Sequence, residues 1–207
     1  MHSVLIVEDD PMASNFFDQY VRGSSDFTVA GTLSSAAIAE AWCLGHDVDL
    51  VLMDVCTAGQ ASGLDAAAKI KRSCPAVKVL IVTSQPEVDF IARAKNAHVE
   101  SFWYKTTGEA ELLHVMRETM EGKSIYPSAS PDVCFGEVHS SDLTPLEVRI
   151  LRELTTGVTN MEIAERLHLS PRTVGNNVQS MLNKTGFKTR TMLACAAVDS
   201  GIVINGI

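Results

Sequence analysis

Three carboxylates, one hydroxyl and one ammonium each stand directly after a short apolar segment of this 207-residue chain. In chain order these residues are Glu8, Asp9, Asp54, Thr83 and Lys105. The segments before them are four to six residues long and rich in Val, Ile, Leu or aromatic residues. Brought together, the five side chains suit a divalent metal ion and a phosphoryl group, because carboxylates hold hard cations and cations stabilise phosphoryl oxygens.

Short apolar segments of this kind are typical of buried parallel strands, which are covered on both faces and carry few polar residues. In an open α/β sheet, ligands bind beyond the carboxyl ends of the strands. The polar residues that follow the four segments are therefore predicted to converge on one edge of one sheet.

Strand-like and helix-like segments alternate five times between residues 3 and 122. This alternation predicts a doubly wound, five-stranded parallel sheet with right-handed crossovers. Residues 106–109 form a predicted capping box at the start of the last helix of the series. The first predicted domain spans residues 1–122.

The pattern changes in the rest of the chain. Residues 123–141 lack apolar periodicity and hold two Pro, five Ser and one Gly, which predicts a linker. The period is then helical, and capping boxes at residues 144–147 and 159–162 open the first two of four predicted helices. A short helix, a tight turn and a longer helix predict an all-α helix-turn-helix domain over residues 142–207.

Charge is distributed unevenly along the chain. The formal net charge is −8, of which residues 1–140 carry −9 and residues 141–207 carry +1. This asymmetry indicates two modules with different partners, and the acidic first module is not expected to bind nucleic acid by itself. The second module is not basic overall, so any DNA contact must depend on the local placement of its charges.

The composition also bears on the cellular compartment. Five scattered cysteines, odd in number and without CxxC spacing, predict reduced cytosolic thiols and no zinc site. No apolar stretch reaches the about 18 residues that span a bilayer, and the first residues lack the pattern of a signal peptide. We therefore expect a cytoplasmic protein without a membrane partner.

Several of these tracts resemble known families. Residues 4–11, 52–54, 82–84 and 103–105 resemble the receiver domain of two-component response regulators. Residues 143–148, 160–167 and 170–174 resemble a LuxR-type DNA-binding domain. Together they resemble the NarL/FixJ class, which implies a flavodoxin-like receiver followed by a four-helix helix-turn-helix domain.

For the polar cluster, the resemblance implies a phosphoacceptor site with Mg²⁺ as cofactor. Asp54 is the implied nucleophile, which takes a phosphoryl group as an acyl phosphate. The implied metal ligands are Glu8, Asp9, Asp54 and the backbone carbonyl of Cys56. Carboxylates packed this closely repel one another and raise their pKa values, and Mg²⁺ relieves that repulsion.

The resemblance also assigns roles around the phosphoryl group. Thr83 donates its hydroxyl to a phosphoryl oxygen, Lys105 offsets the negative charge, and Phe102 is the aromatic that follows Thr83 in the switch. Cys56 and Gln85 line the group and tune its hydrolysis. A Cys at this place orients water poorly, which predicts slow self-dephosphorylation; the alternative for Cys56 is passive packing in the loop.

The loop after Asp54 departs from the family pattern. Ala58 stands where the family usually has Pro, and the segment before Gly63 is one residue longer than usual. Thr106, rather than Pro, follows Lys105. We therefore expect an unusual loop beside the site, with more flexibility than is normal in the family.

In the second domain, the resemblance implies that residues 172–180 present the exposed face of a recognition helix. Base contacts are implied for Gly175, Asn176 and Gln179, and Asn and Gln side chains suit adenine in the major groove. Phosphate contacts are expected from Arg172, Lys184, Lys188, Arg190 and the helix N-terminus at Thr173.

These features predict a two-component response regulator, in which phosphorylation of Asp54 by a sensor histidine kinase controls sequence-specific binding to double-stranded DNA and transcription. Because the cations are few, affinity is expected to need a homodimer formed on phosphorylation. Either the receiver or the C-terminal helix is a candidate dimer surface, and the apolar stripe within residues 192–197 suits a domain core equally well.

RNA polymerase is a further candidate partner. No enzymatic role is expected beyond self-catalysed phosphoryl transfer and hydrolysis at Asp54. The alternative is an interaction scaffold that is never phosphorylated, and the complete set of five site residues argues against it.

Overall fold

The computed structural model describes residues 1–87, 89–106 and 109–204. Contacts divide these residues into two compact units. The first holds residues 1–84, 89–106 and 109–128, and the second holds residues 85–87 and 129–204.

A five-stranded parallel sheet with the strand order β2-β1-β3-β4-β5 lies at the centre of the first unit. The strands are β1 His2–Val7, β2 Phe27–Leu33, β3 Leu50–Asp54, β4 Lys78–Thr83 and β5 Ser101–Tyr104. The helices are α1 Pro11–Arg22, α2 Ala39–Gly45, α3 Gly63–Ser73, α4 Phe90–Asn96 and α5 Glu109–Met120. This order confirms the predicted doubly wound α/β fold.

Burial of the inner strands explains their continuous apolar pattern. Residues 4–7 of β1, 50–54 of β3 and 79–83 of β4 are all buried. Since both faces of such strands are covered, polar side chains are confined to the strand ends. Asp54 and Thr83 are the last residues of their strands, and the sheet thereby holds them at one edge.

The start of α5 bears on the predicted capping box at residues 106–109. Two of its members, Thr107 and Gly108, lie outside the described residues. The helix itself begins at Glu109.

Both ends of the predicted linker are structured. Near its start, Phe102 N–H donates to the Ile125 carbonyl at 2.8 Å, and Ile125 N–H donates to Ser101 Oγ at 3.1 Å. The chain therefore continues along the free edge of β5. Towards its end, two short antiparallel strands, Cys134–Phe135 and Val138–His139, form a hairpin in the second unit. Phe135 is 1% exposed and belongs to the core of that unit.

Four helices build most of the second unit: α6 Pro145–Thr155, α7 Asn160–Leu167, α8 Pro171–Thr185 and α9 Arg190–Asp199. Thr144 with Glu147 and Thr159 with Glu162 form reciprocal capping boxes, which confirms the two predicted helix starts. His168 ends α7 in the left-handed conformation, with φ at 55°. The tight turn between α7 and α8 is thus the predicted helix-turn-helix connection.

The core of this unit follows the predicted apolar faces. Val174, Val178 and Met181 of α8 are buried, as are Leu193 and Ala197 of α9. Across the described parts of the chain, no helix combines the length and apolar character needed to cross a membrane.

Candidate functional site

Three predicted carboxylates meet at one edge of the sheet. One side-chain oxygen from each of Glu8, Asp9 and Asp54 lies within 4.8 Å of the other two. They come together because β1 and β3 are adjacent, with Val7 paired to Met53. Glu8 and Asp54 are buried and Asp9 is exposed, so the cluster is open to solvent on one side.

Lys105 bridges two of these carboxylates. Its ammonium donates to Glu8 Oε2 at 2.6 Å and lies 3.3 Å from Asp54 Oδ1. Burial alone would lower the pKa of Lys105, but the attraction of Asp54 and Glu8 outweighs it and raises that pKa above its ordinary value. The lysine is therefore a permanent cation at the site.

The pKa of Asp54 is raised from 3.8 to about 7. Burial of the carboxyl is the largest cause, Lys105 opposes it, and the nearby charge of Glu8 reinforces it. Repulsion among the packed carboxylates was the predicted cause; the structure makes desolvation the larger effect.

The predicted switch residues lie on the neighbouring strands. Thr83, which is fully buried, ends β4 and pairs with Tyr104, and Lys105 N–H donates to the Thr83 carbonyl at 2.9 Å. The Phe102 ring is 1% exposed and packs 5.0 Å from the Tyr104 ring and 6.4 Å from the Tyr126 ring, measured between centroids. The Phe102 ring therefore packs against Tyr126, in the segment that follows α5.

The two residues predicted to tune hydrolysis are placed differently. Cys56 is half-buried and lies two residues after Asp54, in a hairpin at the site. Gln85 belongs by its contacts to the second unit, where its side-chain oxygen lies beside Gly201. The hydrolysis-tuning roles of Cys56 and Gln85 stay predictions.

The longer loop after Asp54 is a closed hairpin. Cys56–Thr57 pairs with Ala61–Ser62 around a tight turn at Ala58–Gln60. Gly63 follows directly, and a Cβ on it would lie 1.9 Å from the Asp54 carbonyl oxygen, so only glycine fits there. The loop beside the site is thus unusual in shape, and the extra flexibility expected of it stays a prediction.

On the second unit, α8 presents a polar stripe to solvent. Arg172, Asn176 and Gln179 are exposed and follow one another by four and three residues, which keeps them on one helix face. Asn183 extends the stripe and accepts a hydrogen bond from Gln179 Nε2 at 2.9 Å. Sequence reasoning missed Asn183, although its spacing of four residues from Gln179 was the available signal.

Gly175, the third implied base contact, is half-buried on α8. The nearest atom to a Cβ built on it is Asn160 Nδ2 at 3.7 Å, which is ordinary contact. Packing therefore does not require glycine at this position.

Three of the predicted phosphate contacts already have partners within the unit. Lys184 donates to Glu147 Oε2 at 2.8 Å, Arg190 donates to the Val158 carbonyl at 2.7 Å, and Thr173 N–H donates to Ser170 Oγ at 3.0 Å. The other two, Arg172 and Lys188, are exposed. The arrangement favours these last two cations as the groups that could meet a phosphate backbone.

The apolar stripe of α9 is divided between core and surface. Leu193 and Ala197 are fully buried, Ala196 is half-buried, and Met192 is 48% exposed. The alternative of an intradomain core therefore holds for Leu193 and Ala197, and Met192 is left on the surface.

Comparison with known proteins gives two family matches. Residues 4–117 match the response regulator receiver domain. Residues 141–197 match the luxR family of bacterial regulatory proteins. The chain passes from the first unit to the second between residues 128 and 129, in the segment that separates the two matches.

Similar proteins match along almost the whole chain. The chain is 30% identical to the response regulator protein VraR of Staphylococcus aureus (strain NCTC 8325 / PS 47), over 97% of this chain and 98% of that protein. It is also similar in fold to RcsB of Salmonella enterica serovar Typhimurium bound to a promoter with the phosphomimetic BeF3−. That likeness has a TM-score of 0.65 at 18% identity and covers 97% of this chain and 98% of RcsB.

Proposed function

This chain belongs to the response regulators that join a receiver domain to a LuxR-type DNA-binding domain, and from that membership we propose that phosphorylation of Asp54 controls DNA binding by its second unit. The observation that carries the proposal is the packing of Glu8, Asp9 and Asp54 with the Lys105 ammonium at the sheet edge. A sensor histidine kinase is the proposed source of the phosphoryl group.

The residues present fit a hard divalent cation. Three carboxylates converge at this edge, and oxygen-rich sites of this kind are what Mg²⁺ prefers. Glu8, Asp9 and Asp54 would hold the ion together with the backbone carbonyl of Cys56. When bound, it would offset the charge of the carboxylates and of the incoming phosphoryl oxygens.

The chain's own residues would prepare the nucleophile. Asp54 must be ionised to attack phosphorus, and its pKa of about 7 leaves it partly protonated near neutrality before a metal binds. The Lys105 ammonium, 3.3 Å from Asp54, would remain beside the carboxylate to stabilise the transferred group. These groups act on Asp54 itself, so the proposed role is regulatory rather than that of a metabolic enzyme.

The switch would run through the buried ends of β4 and β5. Phosphorylation adds about −1.5 to −2 charges, and it shifts an equilibrium only between states that bind the group unequally. The Thr83 hydroxyl is the proposed partner of a phosphoryl oxygen. Thr83 would move towards the phosphoryl group, and Phe102, which packs against Tyr104 and Tyr126, is proposed to change its position in response.

DNA reading is proposed for the exposed stripe of α8. Asn176 and Gln179 would contact base edges, and Arg172 and Lys188 would contact phosphates. So few cations favour a homodimer on two half-sites. RcsB, a fold relative with a TM-score of 0.64 and 18% identity, has been described as two dimers bound to two parallel DNAs. RNA polymerase remains a further candidate partner.

The test compares wild type with Asp54→Asn on DNA fragments that the beryllofluoride-treated protein selects from a genomic library. With acetyl phosphate and Mg²⁺, the wild type should gain about 5- to 150-fold in DNA affinity, the usual range of allosteric coupling. Asp54→Asn should gain nothing. A wild type whose affinity does not change on phosphorylation would overturn the proposal.

Asp10→Asn is the matched control. Asp10 is an exposed neighbour of the cluster whose side chain accepts the Met12 N–H at 2.8 Å and caps α1. Asn caps a helix about as well as Asp. This variant should therefore respond to acetyl phosphate as the wild type does.

A further inference from the structure

Thr57 is a buried polar residue beside the acidic site with no role in the proposed phosphoryl chemistry. It is 5% exposed. Its hydroxyl donates to the Ala61 carbonyl at 2.8 Å and accepts the Ala36 N–H at 2.9 Å. One hydroxyl thus closes the hairpin after Asp54 and also ties it to the segment that follows β2.

A second set of bonds ties the same hairpin to the same segment. Ala58 N–H donates to the Ser34 carbonyl at 3.0 Å, and Ser35 Oγ donates to the Ala58 carbonyl at 2.9 Å. Thr57 and Ala58 are therefore anchored side by side on residues 34–36. The loop is held from outside as well as across its own turn.

The turn needs such anchoring because its backbone is unfavourable. Gly59 and Gln60 both have positive φ, at 75° and 57°. Glycine adopts this region freely, but a residue with a side chain, such as Gln60, is disfavoured there. The bond from Thr57 to Ala61 spans both residues and holds the turn in place.

The other end of the hairpin is fixed at the phosphoacceptor. Gly63 N–H donates to the Val55 carbonyl at 2.8 Å, and Cys56 pairs with Ser62. Cys56 lies between this attachment and Thr57. Its carbonyl belongs to the peptide group that joins it to Thr57, so an anchor on Thr57 limits how that carbonyl can turn.

We propose that Thr57 is a positioning residue, whose hydroxyl holds the lengthened hairpin and thereby fixes the orientation of the Cys56 carbonyl as a ligand of the metal ion. The inference rests on the proposed function, in which Glu8, Asp9, Asp54 and that carbonyl bind Mg²⁺. Ala58 stands where the family usually has Pro, and the hydroxyl anchor replaces the rigidity that the proline would give.

The experiment measures Mg²⁺ affinity of the full chain without a phosphodonor, by the displacement of Mn²⁺ followed by electron paramagnetic resonance. Thr57→Val keeps the shape of the side chain and removes the hydroxyl. It should weaken Mg²⁺ binding by about tenfold, the lower end of what groups that orient metal ligands contribute. Thr57→Ser restores the hydroxyl and should bind Mg²⁺ within about twofold of wild type.

Thr119→Val is the matched control for the loss of a buried hydroxyl. Thr119 is fully buried in the same unit, and its hydroxyl donates to the Val115 carbonyl at 2.6 Å and shares a 2.7 Å hydrogen bond with the Ser101 hydroxyl. Because it lies away from the hairpin, its loss should leave Mg²⁺ affinity unchanged. If Thr57→Val weakens binding no more than Thr119→Val, the positioning role is wrong.

Ser35→Ala keeps the test decisive should Thr57→Val fail to fold. It removes the bond from Ser35 Oγ to the Ala58 carbonyl and the 3.4 Å bond that Ser35 Oγ accepts from Ala37 N–H, at a half-buried position, and should weaken Mg²⁺ binding by about two- to threefold. Unchanged binding would count against the anchor. If the wild type binds Mg²⁺ and neither variant changes the affinity, the positioning role of Thr57 is wrong. If the wild type binds no Mg²⁺, the proposed metal site is wrong as well.

Discussion

At the scale of single residues, the burial of Asp54 makes the stability of the metal-free protein depend on pH. The pKa of this carboxyl is about 7 in the folded protein against an ordinary value of 3.8. A carboxyl whose pKa is higher in the folded state favours folding while it is protonated. That contribution is complete below pH 3.8 and is lost as the pH rises through about 7.

Asp54→Asn should therefore stabilise the metal-free protein at alkaline pH. Asn resembles the protonated carboxyl, so the free energy of unfolding at pH 8 should rise by about 2 to 4 kcal/mol, and the gain should shrink towards pH 5. Urea unfolding with EDTA at several pH values measures it. Asp10→Asn, at an exposed helix cap, should show no such trend, and an equal gain from Asp54→Asn at pH 5 and pH 8 would contradict the expectation.

At the scale of elements, signals that are local in sequence predicted structure well. The strands and their polar ends were predictable because a short apolar segment indicates a buried strand, and the first polar residue after it marks where the strand ends. The two capping boxes in the second unit were predictable because each pairs residues three apart. The acidic cluster followed from strand order, since neighbouring parallel strands end at the same edge.

Pairings between distant residues left no such signal. Lys184 was predicted to contact phosphate, but it donates to Glu147, 37 residues earlier in the chain. Thr57 was passed over because its partner Ala36 lies 21 residues away. Residues near Ile125 were predicted to be linker, yet they extend along β5, because hydrogen bonds to a sheet edge need no apolar periodicity.

Two cations of α8 differ in their surroundings: Lys184 is paired with Glu147, and Arg172 is exposed. Substituting each should therefore affect stability and DNA binding separately. Lys184→Met removes a partner of Glu147, which is 2% exposed, and should lower the free energy of unfolding by about 1 to 2 kcal/mol while the folded protein keeps most of its DNA affinity. Arg172→Ala, at an exposed position, should leave stability unchanged and weaken binding to all DNA sequences alike.

Calorimetric unfolding and fluorescence anisotropy with labelled DNA measure the two effects. Glu147 keeps bonds from Thr144 N–H and Ser180 Oγ at 2.8 and 2.9 Å, so the Lys184→Met variant should remain folded. A loss of DNA affinity in Lys184→Met as large as in Arg172→Ala would mean that Lys184 contacts phosphate, as the sequence predicts.

At the scale of the whole molecule, charge sets a limit on what one copy can do with DNA. Residues 1–84 and 89–128, which make up the first unit, hold 10 Lys or Arg and 16 Asp or Glu, a net charge of −6, so this unit offers no attraction to a phosphate backbone. The second unit contributes Arg172 and Lys188 as exposed candidates for phosphate contact. We therefore expect affinity to need two copies on one DNA, and the exposed Met192 on α9 is an apolar side chain that a second copy could cover.

The salt dependence of DNA affinity should show how many copies of the protein bind one DNA. Each phosphate contact contributes a slope of about −0.9 to a plot of log affinity against log salt concentration. Two contacts from one copy predict a slope of about −2 on a single half-site, and four from a dimer predict about −4 on two half-sites. Phosphorylated protein, titrated by fluorescence anisotropy at several NaCl concentrations and fixed Mg²⁺, gives both slopes.

Lys188→Ala should make the slope less steep, by about 2 on two half-sites and by about 1 on one half-site, because each copy loses one phosphate contact. Lys123→Ala is the control: Lys123 lies in the first unit and pairs with Glu118 at 2.6 Å, so its loss should leave both slopes unchanged. Equal slopes on one and two half-sites would mean that a single copy makes all the phosphate contacts. In that case phosphorylation would have to act on the DNA-binding surface of one molecule rather than by bringing two together.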